Sequence, residues 1–397
     1  MNKAEEFVAR ACRKSFLSLW SYANPQGKDP GKELCDILVL CEPDVVIFSV
    51  KEIKAGSGPD ISKDWARWRK RAIDESVKQI YGADRWINSA KYVIRKDGSP
   101  GLPFPEKMEL RVHRIAVALG SEGKFPVKFG DFGKGFVHVF DESSFKILLK
   151  ELNTISDFIT YLVAKEELYK FGAQTVFQGG EEDLLALYLH NGRKFQAGGA
   201  SLMVIDTLWD SFQDKDEYRA KQLADKDSYV WDNLIELFCD DILRGTLEFG
   251  NSLTEAEIVV RTMARENRFS RRILGKSFLE FMDRSSHKEV RSRMIPSPSG
   301  VIYVLLALPH GEERKFRVAE LGTRCFVARG LNPTCKTVVG IATEQYERGK
   351  GFSMDALYLT KETWTDKDQA HLEAMQKELG YFVSPVQTRI KEDEYPS

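Results

Sequence analysis

Apolar and polar positions along this chain fall into blocks whose period changes several times. Residues 3 to 20 place Phe7, Ala11, Leu17 and Trp20 near helical spacing, which predicts a first helix ended by the polar loop SYANPQGKDPG. Two apolar runs follow, at about 34–41 and 44–51, on either side of Glu42-Pro43-Asp44, and predict a β-hairpin. After the loop AGSGPD a helical period holds from about 62 to 90. A strand near 109–119, a shorter one near 136–140 and helical pattern over about 142–170 complete the order α, β, β, α, β, β. That order describes a mixed α/β domain with helices covering a sheet.

The remainder changes character twice. Residues 180 to 290 are mostly helical in pattern, most clearly in DSYVWDNLIELFCDDILRG and EAEIVVRTMARENRFSRRILGKSFLEFMDRS. From 300 onward GVIYVLLALP, KFRVAELGTRCFVARG and KTVVGIATEQ read as strands of an antiparallel sheet, with a last helix near 366–379. The expected organisation is an α/β domain over 1–175, a mainly helical region over 176–295 and a C-terminal α+β domain over 296–397.

Composition narrows the classes. At 397 residues, 43% hydrophobic and 29% charged, the chain reads as a soluble globular protein of two or three domains. No run approaches the roughly 18–20 apolar residues that span a bilayer. The N-terminus mixes acids and bases without the apolar core of a signal peptide, so a cytoplasmic protein with no membrane partner is expected. Six cysteines without a CxxC pair predict reduced thiols, and six histidines without HxH or HExxH spacing argue against a histidine-built metal site. A formal net charge of −1 excludes a globally basic nucleic-acid binder and leaves room for a local basic groove. The glycine-rich QGGEEDLLALYLHNGRKFQAGGA lacks the phosphate-cradling spacings and reads as loop beside a helix, and Asp240 and Asp241 read as a solvated helix face.

Candidate chemistry gathers on the hairpin. Antiparallel pairing about the turn sets Asp36 opposite Ser49 and Leu34 opposite Lys51, so Asp36, Ser49 and Lys51 share one face of an otherwise apolar ribbon. Burying such groups without partners costs several kcal/mol. A divalent cation needs carboxylate oxygens, and a nearby lysine can position water and neutralise developing negative charge. The following helix offers a second carboxylate: Ser62 is the expected N-cap and Asp64 lies in the first turn. At about 100° per residue Asp64, Arg71, Glu75 and Lys78 gather on one side, while Trp65, Ala72, Ile73, Ile80, Ala83 and Ile87 gather on another. Lys63, Arg67 and Arg71, with two tryptophans between them, suit contact with a phosphate backbone, although a solvated helix face explains the same charges.

Asp36 followed by Ser49-Val50-Lys51, in α-β-β-α order, resembles the PD-(D/E)XK nuclease superfamily, whose signature is an aspartate at one strand and acid-x-lysine on the next. Ser49 occupies the acid slot. Some restriction endonucleases of that superfamily carry Ser-x-Lys and move the acid about a dozen residues on, to the following helix; here twelve residues separate Lys51 from Asp64. The string GKELCDILVL...FSVK...DWARWRKRAIDESVKQIYGADRWI is also similar to a group of uncharacterised bacterial proteins. The resemblance covers roughly residues 1 to 140. It implies a restriction-endonuclease-like α-β-β-α-β core that hydrolyses nucleic acid, DNA before RNA, with Mg²⁺ or Mn²⁺, and a role in bacterial antiviral defence. It further implies Asp36 and Asp64 as metal ligands, Lys51 as catalytic lysine and Ser49 as a supporting hydrogen bonder. Glu6, Glu33 and Glu75 are candidate extra ligands or water orienters, with surface charge the alternative for each, and Gln79 is expected to line the cleft. Glu52 should point to the opposite face. The rival from another class is a catalytically inactive protein that binds nucleic acid or a partner on the same fold. A third reading has the C-terminal half sense a ligand and regulate a partner or a homo-oligomer.

Overall fold

The hairpin forms, and in the expected register: Ile37 faces Phe48, Leu38 faces Ile47 and Cys41 faces Asp44. The computed structural model describes every residue except 30, 171–174, 196–201, 247–251, 288–290, 384–390 and 397, and the side chains of 175–177, 202 and 203. The chain forms two units, Met1–Arg219 with Cys239–Glu248, and Ala220–Phe238 with Phe249–Ser397. The helical stretch 176–295 is therefore divided between them.

In the first unit α1 (Lys3–Phe16) starts under a reciprocal cap from Asn2 and Glu5. It leads to β1 (Ser21–Ala23), a short strand inside the expected loop, then to β2 (Ile37–Cys41) and β3 (Asp44–Glu52). The next helical stretch is not one regular helix: α2 (Ile61–Arg69) passes through a π-helical turn, Lys70–Asp74, into α3 (Glu75–Ile87). A small antiparallel ribbon of β4 (Tyr92–Ile94) and β5 (Pro100–Pro103) precedes β6 (Arg111–Leu119), β7 (Gly130–Asp131) and β8 (Phe136–Phe140). The expected helix over 142–170 is two, α4 (Glu142–Glu151) and α5 (Ile155–Lys170).

These strands make one six-stranded sheet in the order β1-β2-β3-β6-β8-β7, with β3, β6 and β8 parallel and the other pairs antiparallel. Because β3 and β6 are central and covered on both faces, their cores are continuous apolar runs rather than alternating ones. On one face Phe48 packs against Phe145 of α4 and Phe158 of α5, with ring centroids 6.3 and 6.5 Å away. On the other, α3 reaches the sheet through Gln79 to Ser49 and through Asp84 to Arg114. Beyond α5 come a two-stranded parallel pair, β9 (Thr175–Phe177) and β10 (Leu202–Val204), and the helices α6 (Glu181–His190), α7 (Leu208–Gln213) and α8 (Asp216–Ala224).

The second unit takes the first part of α9 (Tyr229–Arg244), then α10 (Leu253–Ala264), α11 (Arg268–Ser286), β11 (Ser292–Pro296), β12 (Val301–Leu308), α12 (Arg314–Leu331), β13 (Thr337–Glu344), β14 (Met354–Thr360) and α13 (Asp366–Leu379). Here the expectation of strands throughout fails. KFRVAELGTRCFVARG is helix α12, and β12 and β13 are parallel within the sheet β11-β12-β13-β14. Parallel neighbours need a crossover, and Leu321, Cys325 and Ala328 at helical spacing supply a face that packs on Ile302, Val304 and Val338. Gly340 of β13 permits the approach, since a Cβ there would stand 2.6 Å from Cys325 Sγ. All six cysteines are free thiols, and burial pushes Cys325 up to about 12. Among the described residues no helix is long and apolar enough to cross a membrane.

His138 of β8 is fully buried, and its Nε2 lies 3.0 Å from Glu166 Oε1. Burial drives the imidazole down to about 4, against the upward pull of Glu166 and from an ordinary value of 6.5. The unfolded chain therefore takes up this proton near pH 6.5 and the folded chain only near 4, so the contribution is complete above the first value and lost as pH falls towards the second. Replacing His138 with Phe should remove ~2–3 kcal/mol of the acid sensitivity between those limits, read from urea denaturation at a series of pH values.

Candidate active site

The hairpin register decides which polar groups meet. Asp36 stands one residue before the first paired position of β2 and is 3% exposed, and its Oδ2 accepts the Val50 N–H at 2.5 Å. Its own carbonyl accepts the Asn24 N–H at 2.9 Å, which ties it to the chain leaving β1. Ser49 is fully buried; its Oγ donates to Gln79 Oε1 at 2.9 Å and lies within hydrogen-bonding reach of the Asp36 carboxyl. Lys51, half-buried near the end of β3, makes no ion pair with a described residue, and its charge acts on both Asp36 and Glu33.

Electrostatically the patch is a cluster of acids facing one lysine. Burial pushes the Asp36 carboxyl above the usual aspartate range and the Glu5 carboxylate adds to the push, while the Val50 N–H, Lys51 and Ser49 oppose it. Glu33 is also raised, by burial and then by Asp36 and Glu5, against the chain's amino terminus and Lys51. The acid that α1 brings to this field is Glu5; Glu6 points to solvent. The Asn2-x-x-Glu5 capping box was a legible signal for Glu5, because a residue that closes the helix start cannot rotate away with the exposed face.

Asp64 bonds to the loop that precedes its helix. The N-cap of α2 is Asp60, whose side chain accepts the Lys63 N–H, and not Ser62. Asp64 is buried, but its Oδ2 accepts the Gly58 N–H at 2.7 Å and its carboxylate lies against Gly56, where a Cβ would stand 2.4 Å from Asp64 Cγ. It holds the 54–59 loop in place.

The remaining candidate residues divide by exposure. The π-helical turn breaks the 100° count across 70–74; Glu75 at the start of α3 is exposed, and Gln79, one turn on, bonds to Ser49. Trp68, and not Trp65, is the tryptophan this stretch buries. Lys63 and Arg67 are exposed beside Asp60 and Asp64, at 3.1 and 3.9 Å, and Arg71 is exposed with no ion pair among the described residues.

The donors suit a hard divalent cation in number and kind only if water completes its shell. Among the described residues no group of three or more His, Cys, Asp or Glu side chains is arranged to hold a metal. Asp36 and Glu33 remain as two carboxylates whose negative charge Lys51 compensates in part, and Mg²⁺ characteristically binds through one or two carboxylates while keeping several waters. No family model, curated protein or solved structure matches the chain.

If Asp64 serves the loop, Gly56→Ala should cost ~1–3 kcal/mol in urea denaturation, since the new methyl meets a hydrogen-bonded buried carboxylate. In an Asp64→Ala background the same substitution should cost less than ~0.5 kcal/mol, a strongly non-additive cycle. Additive costs would mean that the carboxylate does not lie against this loop.

Proposed function

We propose that the N-terminal unit is a divalent-cation-dependent phosphodiesterase acting on nucleic acid, DNA before RNA, in bacterial defence. The observation that carries this reading is the buried, paired register that brings Asp36, Ser49 and Lys51 to one sheet face, beside the raised carboxyls of Asp36 and Glu33. Groups whose ionisation is shifted by burial and by neighbouring charge at one patch are what phosphodiester chemistry uses. Asp36 and Glu33, with Glu5 behind them, would hold Mg²⁺ or Mn²⁺, which when bound supplies Lewis-acid polarisation and an activated water.

The chain's own groups have separable roles. Lys51 carries the unpaired ammonium that a phosphate oxygen can meet, and it offsets charge that develops there during in-line attack. Ser49 and Gln79 fix the Asp36 carboxyl from below. Arg71, with Lys63 and Arg67 on the exposed side of the helical stretch, offers phosphate-backbone contacts that carry no sequence information. The second reading, a non-catalytic nucleic-acid binder on the same scaffold, is favoured by the diversion of Asp64 to Gly58.

Thermal melting with and without Mg²⁺ or Mn²⁺, beside cleavage of plasmid and of single-stranded oligonucleotides, separates the two. Cation should raise the melting temperature of the wild type, and the effect should vanish in Asp36→Asn. Asp36→Asn should itself melt higher in cation-free buffer at neutral pH, because a carboxyl raised by burial weakens the fold once ionised. Lys51→Ala should lower the cleavage rate by ~10²-fold or more, and Asp64→Asn by less than ~5-fold. No cleavage with either metal, or cleavage indifferent to Asp36→Asn and Lys51→Ala, would falsify the catalytic reading.

A further inference from the structure

A second site stands in the C-terminal unit, independent of the phosphodiesterase reading. β12 and β13 are parallel, and a cavity of about 210 Å³ opens at their carboxyl ends, where His310 follows β12 and Thr343 and Glu344 close β13. In open α/β sheets this crevice beyond the strand ends is where ligands bind. Leu234 and Leu237 of α9, Phe278 and Met282 of α11, and Phe352 and Met354 before and on β14 make an almost wholly apolar wall. At the mouth Leu237 is 51% exposed, and Phe352 and Tyr346 are each 62% exposed, a cost in water that a bound apolar molecule would relieve.

The polar groups at the rim define the ligand's charge. Glu344 is occupied: it accepts the Ser353 N–H at 2.6 Å and Ser353 Oγ at 2.8 Å and pairs with the buried Arg317 at 2.5 Å. Lys350 pairs with Glu347 at 2.6 Å, and Thr343 Oγ1 donates to the Ser353 carbonyl at 3.0 Å. Asn233 and His310 have no hydrogen-bond partner among the described residues, so they can take a neutral donor or acceptor. An apolar cavity near 150 Å³ holds benzene, so this larger volume suits one ring or two fused rings.

We propose that this cavity is a binding site for an uncharged aromatic molecule of one or two fused rings bearing one hydrogen-bonding group, which Asn233 or His310 receives. The wall contains no free cation for a nucleotide's phosphates and no cluster of acids for a metal.

The full-length protein is titrated with indole, 2-naphthol, naphthalene and, as charged comparisons, indole-3-acetate and AMP, by calorimetry and by melting temperature. Indole or 2-naphthol should bind at a single saturable site with Kd below ~100 μM, a fair strength for about ten heavy atoms, and AMP should not bind. Met282→Trp, which fills the cavity, should weaken the 2-naphthol complex at least ~10-fold while leaving the unliganded melting temperature within a few degrees. Phe352→Ala, at an exposed position that folding does not need, serves if Met282→Trp melts early, and should weaken it ~3–10-fold. His310→Ala should reduce binding of 2-naphthol more than of naphthalene. Absence of saturable binding by all three neutral probes, or affinities unmoved by Phe352→Ala and by a folded Met282→Trp, overturns the proposal. Nuclease assays play no part in it, so either conclusion stands or falls alone.

Discussion

The pairing of β2 with β3 is the constraint on which the chemistry of the N-terminal unit depends. Side chains on a strand alternate, so a slip of one residue would turn Ser49 and Lys51 towards Phe145 and Phe158 and bring Phe48 to the polar patch. The register is held at the turn as well as by apolar burial. Asp44, fully buried at the first position of β3, pairs with Arg111 at 2.8 Å and His113 at 2.9 Å from the neighbouring β6. Removing those partners would leave a buried charge uncompensated, so the β3–β6 pair and the hairpin turn support each other.

At the open end of the same strands the balance is reversed. Asp36, Glu33 and Glu5 bring negative charge near one half-buried lysine, and burial raises Asp36 and Glu33 although Asp36 accepts the Val50 N–H and Glu33 the Asn24 side-chain amide. Burial thus raises Asp36 at one end of the strands, while Asp44 at the other end has two partners on β6.

How far the site could be read in advance differs from residue to residue. Asp36, Ser49 and Lys51 follow from alternation and a turn, both short-range features, and the hairpin's register was legible for that reason. Gln79, expected to line the cleft, accepts a hydrogen bond from Ser49. Asp64 has the expected spacing from Lys51, and the glycines of the 54–59 loop let the backbone close on its carboxylate, whose Oδ2 accepts the Gly58 N–H. The π-helical turn between α2 and α3 shifts the faces of the two helices relative to each other, and nothing in the periodicity of the stretch itself announces one.

By itself the sequence determined the apolar runs, the hairpin, the closing helix at 366–379 and the reduced thiols, since each depends on neighbours within a few residues or on composition. Only the tertiary structure decided that KFRVAELGTRCFVARG is a helix crossing between parallel strands, because its buried face exists only against Ile302 and Val338. Tertiary structure likewise decided that Gln79 meets Ser49, thirty positions earlier in the chain. The physical reason is common to both. Local pattern sets which way a side chain points along its own element, whereas the partner it meets is set by where another element, distant in sequence, presents a donor, an acceptor or a charge.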